Sequence, residues 1–204
     1  KTAVKVNAVD GLCYFRVTGQ TAGGRTVNIG TVDTSSLLKK TSFITMGSYN
    51  VQKITERSPK FTADNTLRRI SPLTAFFPEK ADDNNIDSGK KAFEYIEKNR
   101  SDFFIFDFYG TAVHGLIKAE NTFLTGGIDG NEKLGEKLPN ILPPEVYQPL
   151  VDIFAKEILK LYPSDKIILV RTLSPEFYGL SRQVRKSTPK KKLNEFLSKI
   201  EAYF

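Results

Sequence analysis

Over the first forty residues the apolar positions come in short runs, several of them alternating with polar ones. Val4 and Val6, then Leu12, Tyr14, Phe15 and Val17, then Val27, Ile29 and Val32 form these runs, broken by turn formers at Asp10-Gly11 and Gly19 to Gly24. Alternation at a period of two between glycine-rich breaks predicts two or three antiparallel strands. Residues 1–40 are therefore expected to form a small antiparallel β module, closed by the polar linker Asp33 to Lys40.

From residue 41 to 204 the pattern changes to strands that alternate with helices. Ser42 to Met46 reads as a short strand ending at Gly47-Ser48. Ser88 is placed to cap a helix running to about Asn99, with Ala92, Phe93, Tyr95 and Ile96 as its apolar stripe. Phe103 to Phe108 is apolar on both faces, as a buried parallel strand should be. Val113 to Leu124 resembles a hairpin closing at Gly126-Gly127. Pro143-Pro144 opens the longest helix, whose Val146, Leu150, Val151, Phe154, Ile158 and Leu161 recur at helical spacing before Pro163 ends it. Lys166 to Val170 is a third strand, and Pro189 begins a last helix with Leu193, Phe196, Leu197 and Ile200 inward. This order predicts an α/β fold with a parallel sheet. No internal repeat or low-complexity segment interrupts it.

Composition narrows the function classes. The 204 residues are 40% hydrophobic and 26% charged, an ordinary globular balance. No window approaches the roughly 18 consecutive apolar residues of a membrane-spanning helix. One cysteine, Cys13, excludes an internal disulfide framework, and one histidine, His114, excludes a multi-histidine metal site. No metal or cofactor is expected. The chain opens on Lys1, which reads as a start inside a longer gene product or after processing, and no signal-peptide pattern follows. A cytoplasmic, reduced setting is expected.

The net charge of +7 is concentrated at the two ends. Residues 1–40 carry six cations against two acids, and residues 181–204 carry seven against two, whereas 41–180 are slightly acidic. The C-terminal group (Arg182, Arg185, Lys186, Lys190, Lys191, Lys192 and Lys199) fits a solvated loop and helix start. It also fits a phosphorylated polymer, a partner domain or an anionic membrane surface, with a peripheral membrane location as the corollary. Without aromatic interleaving or an RNA-binding motif, nucleic acid is a poor candidate partner.

In open parallel sheets ligands bind at the carboxyl ends of strands. Three sets of residues fall there: Gly47-Ser48, Asp107 to Gly110, and Arg171-Thr172. A glycine followed by serine turns the backbone sharply and can aim Oγ into the crevice, with the Gly47 and Ser48 amides as oxyanion donors. The same dipeptide is a common strand-end turn, and residue type alone leaves both readings open. His114, seven residues past Asp107, is either a base near the same rim or a histidine packed in a loop or hairpin. Asp107 either orients a histidine, binds substrate hydroxyls or caps its own turn. Arg68, Arg69 and Arg171 can hold a phosphate or carboxylate, or serve in surface ion pairs. The acidic run Asp82 to Asp87 lacks the glycine and glutamate of a calcium loop and reads as solvated. Gly126 to Gly130 has no lysine at phosphate-loop spacing, so nucleotide binding is unsupported.

The tract Phe43-Ile44-Thr45-Met46-Gly47-Ser48-Tyr49-Asn50-Val51-Gln52-Lys53, followed by Leu67-Arg68-Arg69-Ile70-Ser71-Pro72-Leu73, resembles the opening of a family of SGNH-hydrolase-like domains. Members are encoded among bacterial capsule and teichoic-acid polysaccharide genes. The resemblance continues through Asp102 to Asp107 and the Pro143-Pro144 helix to Lys166–Val170, covering about 41–204. It implies a flavodoxin-like three-layer α/β/α sandwich, with Ser48 at the nucleophile position. The implied chemistry is ester hydrolysis or acyl transfer on a glycan or phosphorylated polysaccharide. Beside Ser48, position alone offers His114 as a substitute base and Asp107 as its orienting partner for the catalytic set, with Gly47, Tyr49, Arg68, Arg69 and Arg171 around the substrate.

The family opens with Gly-Ser-Cys-Val-Thr/Ser-Arg-Asp, and here Tyr49, Gln52 and Lys53 replace its cysteine, arginine and aspartate. Family enzymes take their base from an Asp-x-x-His near the C-terminus, and no histidine follows His114 in this sequence. A serine without a base is a poor nucleophile. Two expectations follow: a base beyond Phe204, or a domain that has lost catalysis and binds a glycan, polyanion or partner protein.

Overall fold

The computed structural model describes residues 14–20, 26–33, 41–56, 61–174, 177–180, 183–186 and 188–204. The chain divides into two compact units between Thr41 and Ser42. In the first, β1 (Tyr14–Gln20) and β2 (Thr26–Asp33) pair antiparallel from Tyr14–Asp33 to Gln20–Thr26, with a register shift between Val17 and Thr18. The Asp10-Gly11 turn, Cys13 and the linker residues 34–40 lie outside the described residues.

The second unit runs through β3 (Thr41–Gly47), α1 (Tyr49–Glu56), β4 (Phe61–Arg68), α2 (Pro72–Ala75), α3 (Ala92–Lys98), β5 (Phe103–Phe106) and α4 (Tyr109–His114). It continues with β6 (Leu116–Ala119), β7 (Thr122–Thr125), β8 (Glu136–Lys137), α5 (Pro144–Leu161), β9 (Ile167–Leu169), β10 (Phe177–Leu180), β11 (Gln183–Lys186) and α6 (Thr188–Tyr203). The fold is mixed α/β. Four strands make a parallel sheet in the order β4-β3-β5-β9, and β7-β6-β8 make a separate small antiparallel sheet. From β3 the chain steps outward to β4, then returns to β5 on the opposite side of β3. The strand order therefore reverses between β3 and β5, and their carboxyl ends diverge there into a crevice.

Alternation along the strands supplies the sheet with two apolar faces. Ile44, Met46, Phe104 and Phe106 pack with the buried residues of α5 and α6, while Phe43 and Ile105 pack with Val51 of α1. The expectation that 103–108 is apolar on both sides is met by fully buried Phe104 and Phe106 and by Ile105 at 4% exposure. Phe106 stacks edge-on against Phe154 of α5 at 4.8 Å and against Phe108 at 5.3 Å. Such edge-to-face pairs add to what area burial alone contributes. In α5 the buried stripe is Tyr147, Leu150, Val151, Phe154, Ile158 and Leu161, so Tyr147 takes the inward place expected of Val146. In α6, Phe196, Leu197 and Ile200 are buried and Leu193 packs at their edge, as their spacing predicts.

Three expectations are corrected. Ser88 does not cap a helix. The side-chain oxygen of Asn85 accepts the amides of Asp87 and Ser88, consecutive turns hold residues 85–91, and Lys90 takes a left-handed φ of 54°. Helix geometry cannot propagate through a left-handed residue, so α3 begins only at Ala92. His114 is not in a loop or hairpin: it ends α4, and the hairpin begins after Gly115. Nor is the acidic run wholly solvated. Asp87 is fully buried and accepts from the Thr125 amide at 2.6 Å, Thr74 Oγ1 at 2.8 Å and Asn131 Nδ2 at 2.9 Å. Those three donors offset its desolvation and tie the β6–β7 hairpin to α2.

Candidate functional site

The crevice between β3 and β5 is closed by contacts between their strand ends. Gly47 has φ of +115°, a conformation that favours glycine. A Cβ at this position would lie 2.5 Å from Asp107 Oδ1 and 2.8 Å from the Asp107 carbonyl oxygen. The missing side chain is therefore what lets the Asp107 carboxylate reach the turn. The Ser48 amide donates to Asp107 Oδ1 at 2.8 Å, and the Ser48 hydroxyl donates to Asp107 Oδ2 in a short hydrogen bond. Thr172 Oγ1, just past β9, donates to the same Oδ2 at 3.2 Å, and the Tyr109 amide also donates to this carboxylate.

Asp107 is fully buried. Burial raises its pKa above the usual carboxylate range, and the donors from Ser48, Thr172 and Tyr109 act in the opposite direction. A carboxylate whose desolvation outweighs its hydrogen bonds has an enhanced proton affinity. It is thus suited to accept the Ser48 proton. The hydroxyl has a second role: Ser48 Oγ accepts the Asn50 amide at 3.2 Å, capping the first turn of α1.

Outside this contact opens a cavity of about 350 Å³ lined by Ser48, Tyr49, Asn50, Arg68, Arg69, Tyr109, Gly110 and His114. Tyr49 is 48% exposed, and its ring centroid lies 4.8 Å from Lys53 Nζ and 5.1 Å from the Arg68 guanidinium carbon. Cations held over a ring face make a flat, positively charged wall. Arg69 has a left-handed φ of 64°, and its amide donates to the Gly47 carbonyl at 3.0 Å, fixing the end of β4 beside the end of β3. Burial lowers the His114 pKa, with further lowering by the positive charges of Arg69 and Lys137. The imidazole is therefore neutral at neutral pH. Gly127, at φ +71°, lets the turn after β7 lie against that ring, since a Cβ there would be 2.9 Å from His114 Nδ1.

The structure thus brings together Gly47, Ser48, Tyr49, Arg68, Arg69, Asp107 and His114. It does not bring Arg171 among them. The Arg171 guanidinium pairs with Glu201 Oε2 at 3.2 Å and donates to Ser198 Oγ at 2.8 Å, so it clamps the end of β9 to α6. The Ser48 amide, expected to face an oxyanion, is instead taken by Asp107. Among the described residues no hydrogen bond joins His114 to Ser48 or Asp107. Thr172 and the Tyr109 amide were marked only by their place at strand ends; nothing in their residue types announced that they would converge on one carboxylate. Among the described residues no three His, Cys, Asp or Glu side chains converge as a metal ion would require, and no helix is long and apolar enough to cross a membrane. Comparison with protein-family models, curated proteins and solved structures finds no match to this chain.

Proposed function

We propose that residues 42–204 form a three-layer α/β/α domain of SGNH-hydrolase type that hydrolyses or transfers an acyl ester on a carbohydrate, with Ser48 as nucleophile. The observation that carries this reading is the Ser48 hydroxyl donating to buried Asp107 at the point where the strand order reverses. Asp107 takes the role of base that family enzymes give to an Asp-x-x-His. As Ser48 Oγ bonds to the acyl carbon, its proton passes to Asp107 Oδ2 and the carbonyl π pair moves onto oxygen. Collapse of that intermediate expels the sugar oxygen, which takes the proton from Asp107. Water or a second sugar hydroxyl then attacks the acyl-serine carbon, giving its proton to Asp107; collapse breaks the bond between the acyl carbon and Ser48 Oγ, and Oγ takes that proton back from Asp107, releasing the free acid or the acylated sugar. Arg68 and Arg69 supply positive charge for the oxyanion or for an anionic substituent of the glycan. The resemblance to domains encoded with capsule and teichoic-acid genes supports a phosphorylated or acylated cell-surface polysaccharide as substrate.

Acetate release from an O-acetylated polysaccharide tests this directly. Wild type should exceed Ser48→Ala by at least about 100-fold, the scale of nucleophile activation. Equal rates would refute the enzyme reading. One observation favours a second reading: Ser48 already caps α1 and locks two strand ends, which is a complete structural role. On that reading the domain binds an anionic glycan through Tyr49, Arg68 and Arg69 without turning it over, and Arg68→Ala would weaken binding while Ser48→Ala would not.

A further inference from the structure

Past β9 the chain runs on as a segment that α6 holds from one face. The Val170 amide donates to the Phe106 carbonyl at 2.8 Å, directly beside Asp107. Arg171 then donates to Ser198 Oγ at 2.8 Å and pairs with Glu201 Oε2 at 3.2 Å. Three residues on, the Ser174 amide donates to Asn194 Oδ1 at 2.9 Å, and the Ser174 carbonyl accepts Asn194 Nδ2 at 2.8 Å. Asn194, Ser198 and Glu201 follow one another at intervals of four and three residues, which puts them on one face of the helix. Asn194 is 7% exposed, so the Ser174 anchor is sheltered from water.

Thr172 lies between the two anchors. Its hydroxyl donates to Asp107 Oδ2 at 3.2 Å, and the same oxygen accepts the Ser48 hydroxyl. Ser174 Oγ bonds the Tyr109 hydroxyl at 2.9 Å, and the Tyr109 amide donates to the Asp107 carboxylate. Among the described residues, both donors that reach Asp107 from outside β3 are thus tied to segment 171–174. Threonine is branched at Cβ and has few χ1 states, so anchoring its backbone goes far toward aiming its hydroxyl.

Asp107 faces the Ser48 hydroxyl and amide from β3, the Tyr109 amide from α4, Thr172 from this segment and the Glu201 charge from α6. Burial raises the Glu201 pKa, the Arg171 charge acts against that shift, and the Asp107 charge adds to it. The ion pair with Arg171 therefore both anchors the segment and offsets a negative charge that Asp107 would otherwise meet.

We propose that Thr172 is a positioning residue for the Ser48–Asp107 pair: clamped to α6 at Arg171 and at Ser174, the segment holds the Thr172 hydroxyl on Asp107 Oδ2 and so keeps that oxygen turned to the Ser48 hydroxyl. Any effect on reactivity rests on Ser48 acting as nucleophile; the hold on the carboxylate does not. A donor to the ionised carboxyl favours that form. Without the Thr172 hydroxyl, Asp107 should keep its proton to higher pH.

The Ser48 amide donates to Asp107 Oδ1, so its magnetic resonance signal followed against pH reports the ionisation of that carboxyl. Asp107→Asn should abolish the transition and so assign it. Thr172→Val should move the midpoint upward by about 0.5 to 1 in pH, the scale of one ordinary hydrogen bond. Thr172→Ser should restore the wild-type midpoint, and Thr172→Ala takes the place of valine should that variant melt early. Arg171→Gln with Glu201→Gln removes the clamp without changing net charge. In that background Thr172→Val should move the midpoint less than half as far, because the hydroxyl is no longer held in place. A midpoint unmoved in both Thr172→Val and Thr172→Ala would overturn the proposal, as would an equal shift with and without the clamp. The pH profile of fluorophosphonate labelling at Ser48, run on the same variants, should share these midpoints. A moving amide midpoint in a chain that never labels would refute the nucleophile and uphold the hold of Thr172 on Asp107.

Discussion

Ser48 gives both its amide and its hydroxyl to the one carboxylate of Asp107, a residue 59 positions away on the neighbouring parallel strand. The contact ties β3 to β5 at the crevice and places a buried carboxylate against the hydroxyl. The two functions separate in Asp107→Asn. An amide still accepts through Oδ1, and its Nδ2 donates to hydroxyls of Ser48 and Thr172 that can rotate to accept. The variant should therefore stay within about 1–2 kcal/mol of wild-type stability. It should nevertheless lose at least about 100-fold in ester hydrolysis, because no proton acceptor remains. Urea unfolding and acetate release measure the two separately.

The raised pKa of Asp107 also has a sign that can be checked. The folded chain keeps this proton longer than the unfolded chain, whose carboxyl titrates near 3.8. The stability it contributes is fully present below that value and is lost as pH rises through the folded pKa. Between Asp107 and its asparagine variant, the difference in unfolding free energy should shift in favour of the variant as pH rises from about 3.8 toward neutrality. A difference flat with pH would show that burial does not raise this carboxyl.

Gly47→Ala should break the same contact from the other side. A left-handed φ of +115° and a Cβ 2.5 Å from Asp107 Oδ1 cannot both be accommodated. Backbone strain of about 1–3 kcal/mol is expected, with overpacking of similar size. Thermal unfolding should show a clear loss. A variant as stable as wild type would mean that Gly47 does not hold this conformation.

His114 should titrate below the ordinary histidine value, because burial and then the charges of Arg69 and Lys137 disfavour the imidazolium. Nuclear magnetic resonance of its ring protons measures this directly, and Lys137→Gln should move the midpoint upward. With a depressed folded pKa, its stability contribution is present above about 6.5 and is lost as pH falls below it.

Much of the parallel sheet is legible because its strands leave short apolar runs between turn residues. Buried Phe103–Phe106 and the half-exposed edge strand Ile167–Leu169 need no partner information to be recognised, and α5 announces itself through its stripe and its opening prolines. The edge strand β4 carries Thr62, Asp64, Asn65 and Thr66, and its pattern looks like loop. The turn at 85–91 escapes the pattern because the amides of Lys90 and Lys91, which a Ser88 cap would need, go instead to the carbonyls of Asp87 and Ile86. At the site, Gly47, Ser48 and Asp107 could be placed at strand ends, but their contact depends on which strands are neighbours. That is a property of topology, invisible to spacing along the chain.

Lys90 provides a check far from the crevice. Its ammonium donates to the carbonyls of Thr74, at 3.0 Å, and Phe123, and burial lowers its pKa from 10.5 to about 8. The stability it contributes is present above 10.5 and is lost as pH falls toward 8. Unfolding free energy should therefore rise across that alkaline window in wild type, and the rise should be smaller in Lys90→Gln. Parallel profiles would place Lys90 in water.

The central claim is that Ser48 is an activated nucleophile, and covalent labelling tests it most directly. Wild type, Ser48→Ala and Asp107→Asn would be treated with a fluorophosphonate and weighed intact. A single adduct on wild type, absent in Ser48→Ala and strongly slowed in Asp107→Asn, is the predicted result. A wild-type chain that stays unlabelled, or that labels equally without Ser48, would contradict it and leave the Ser48–Asp107 pair as a lock between two strand ends.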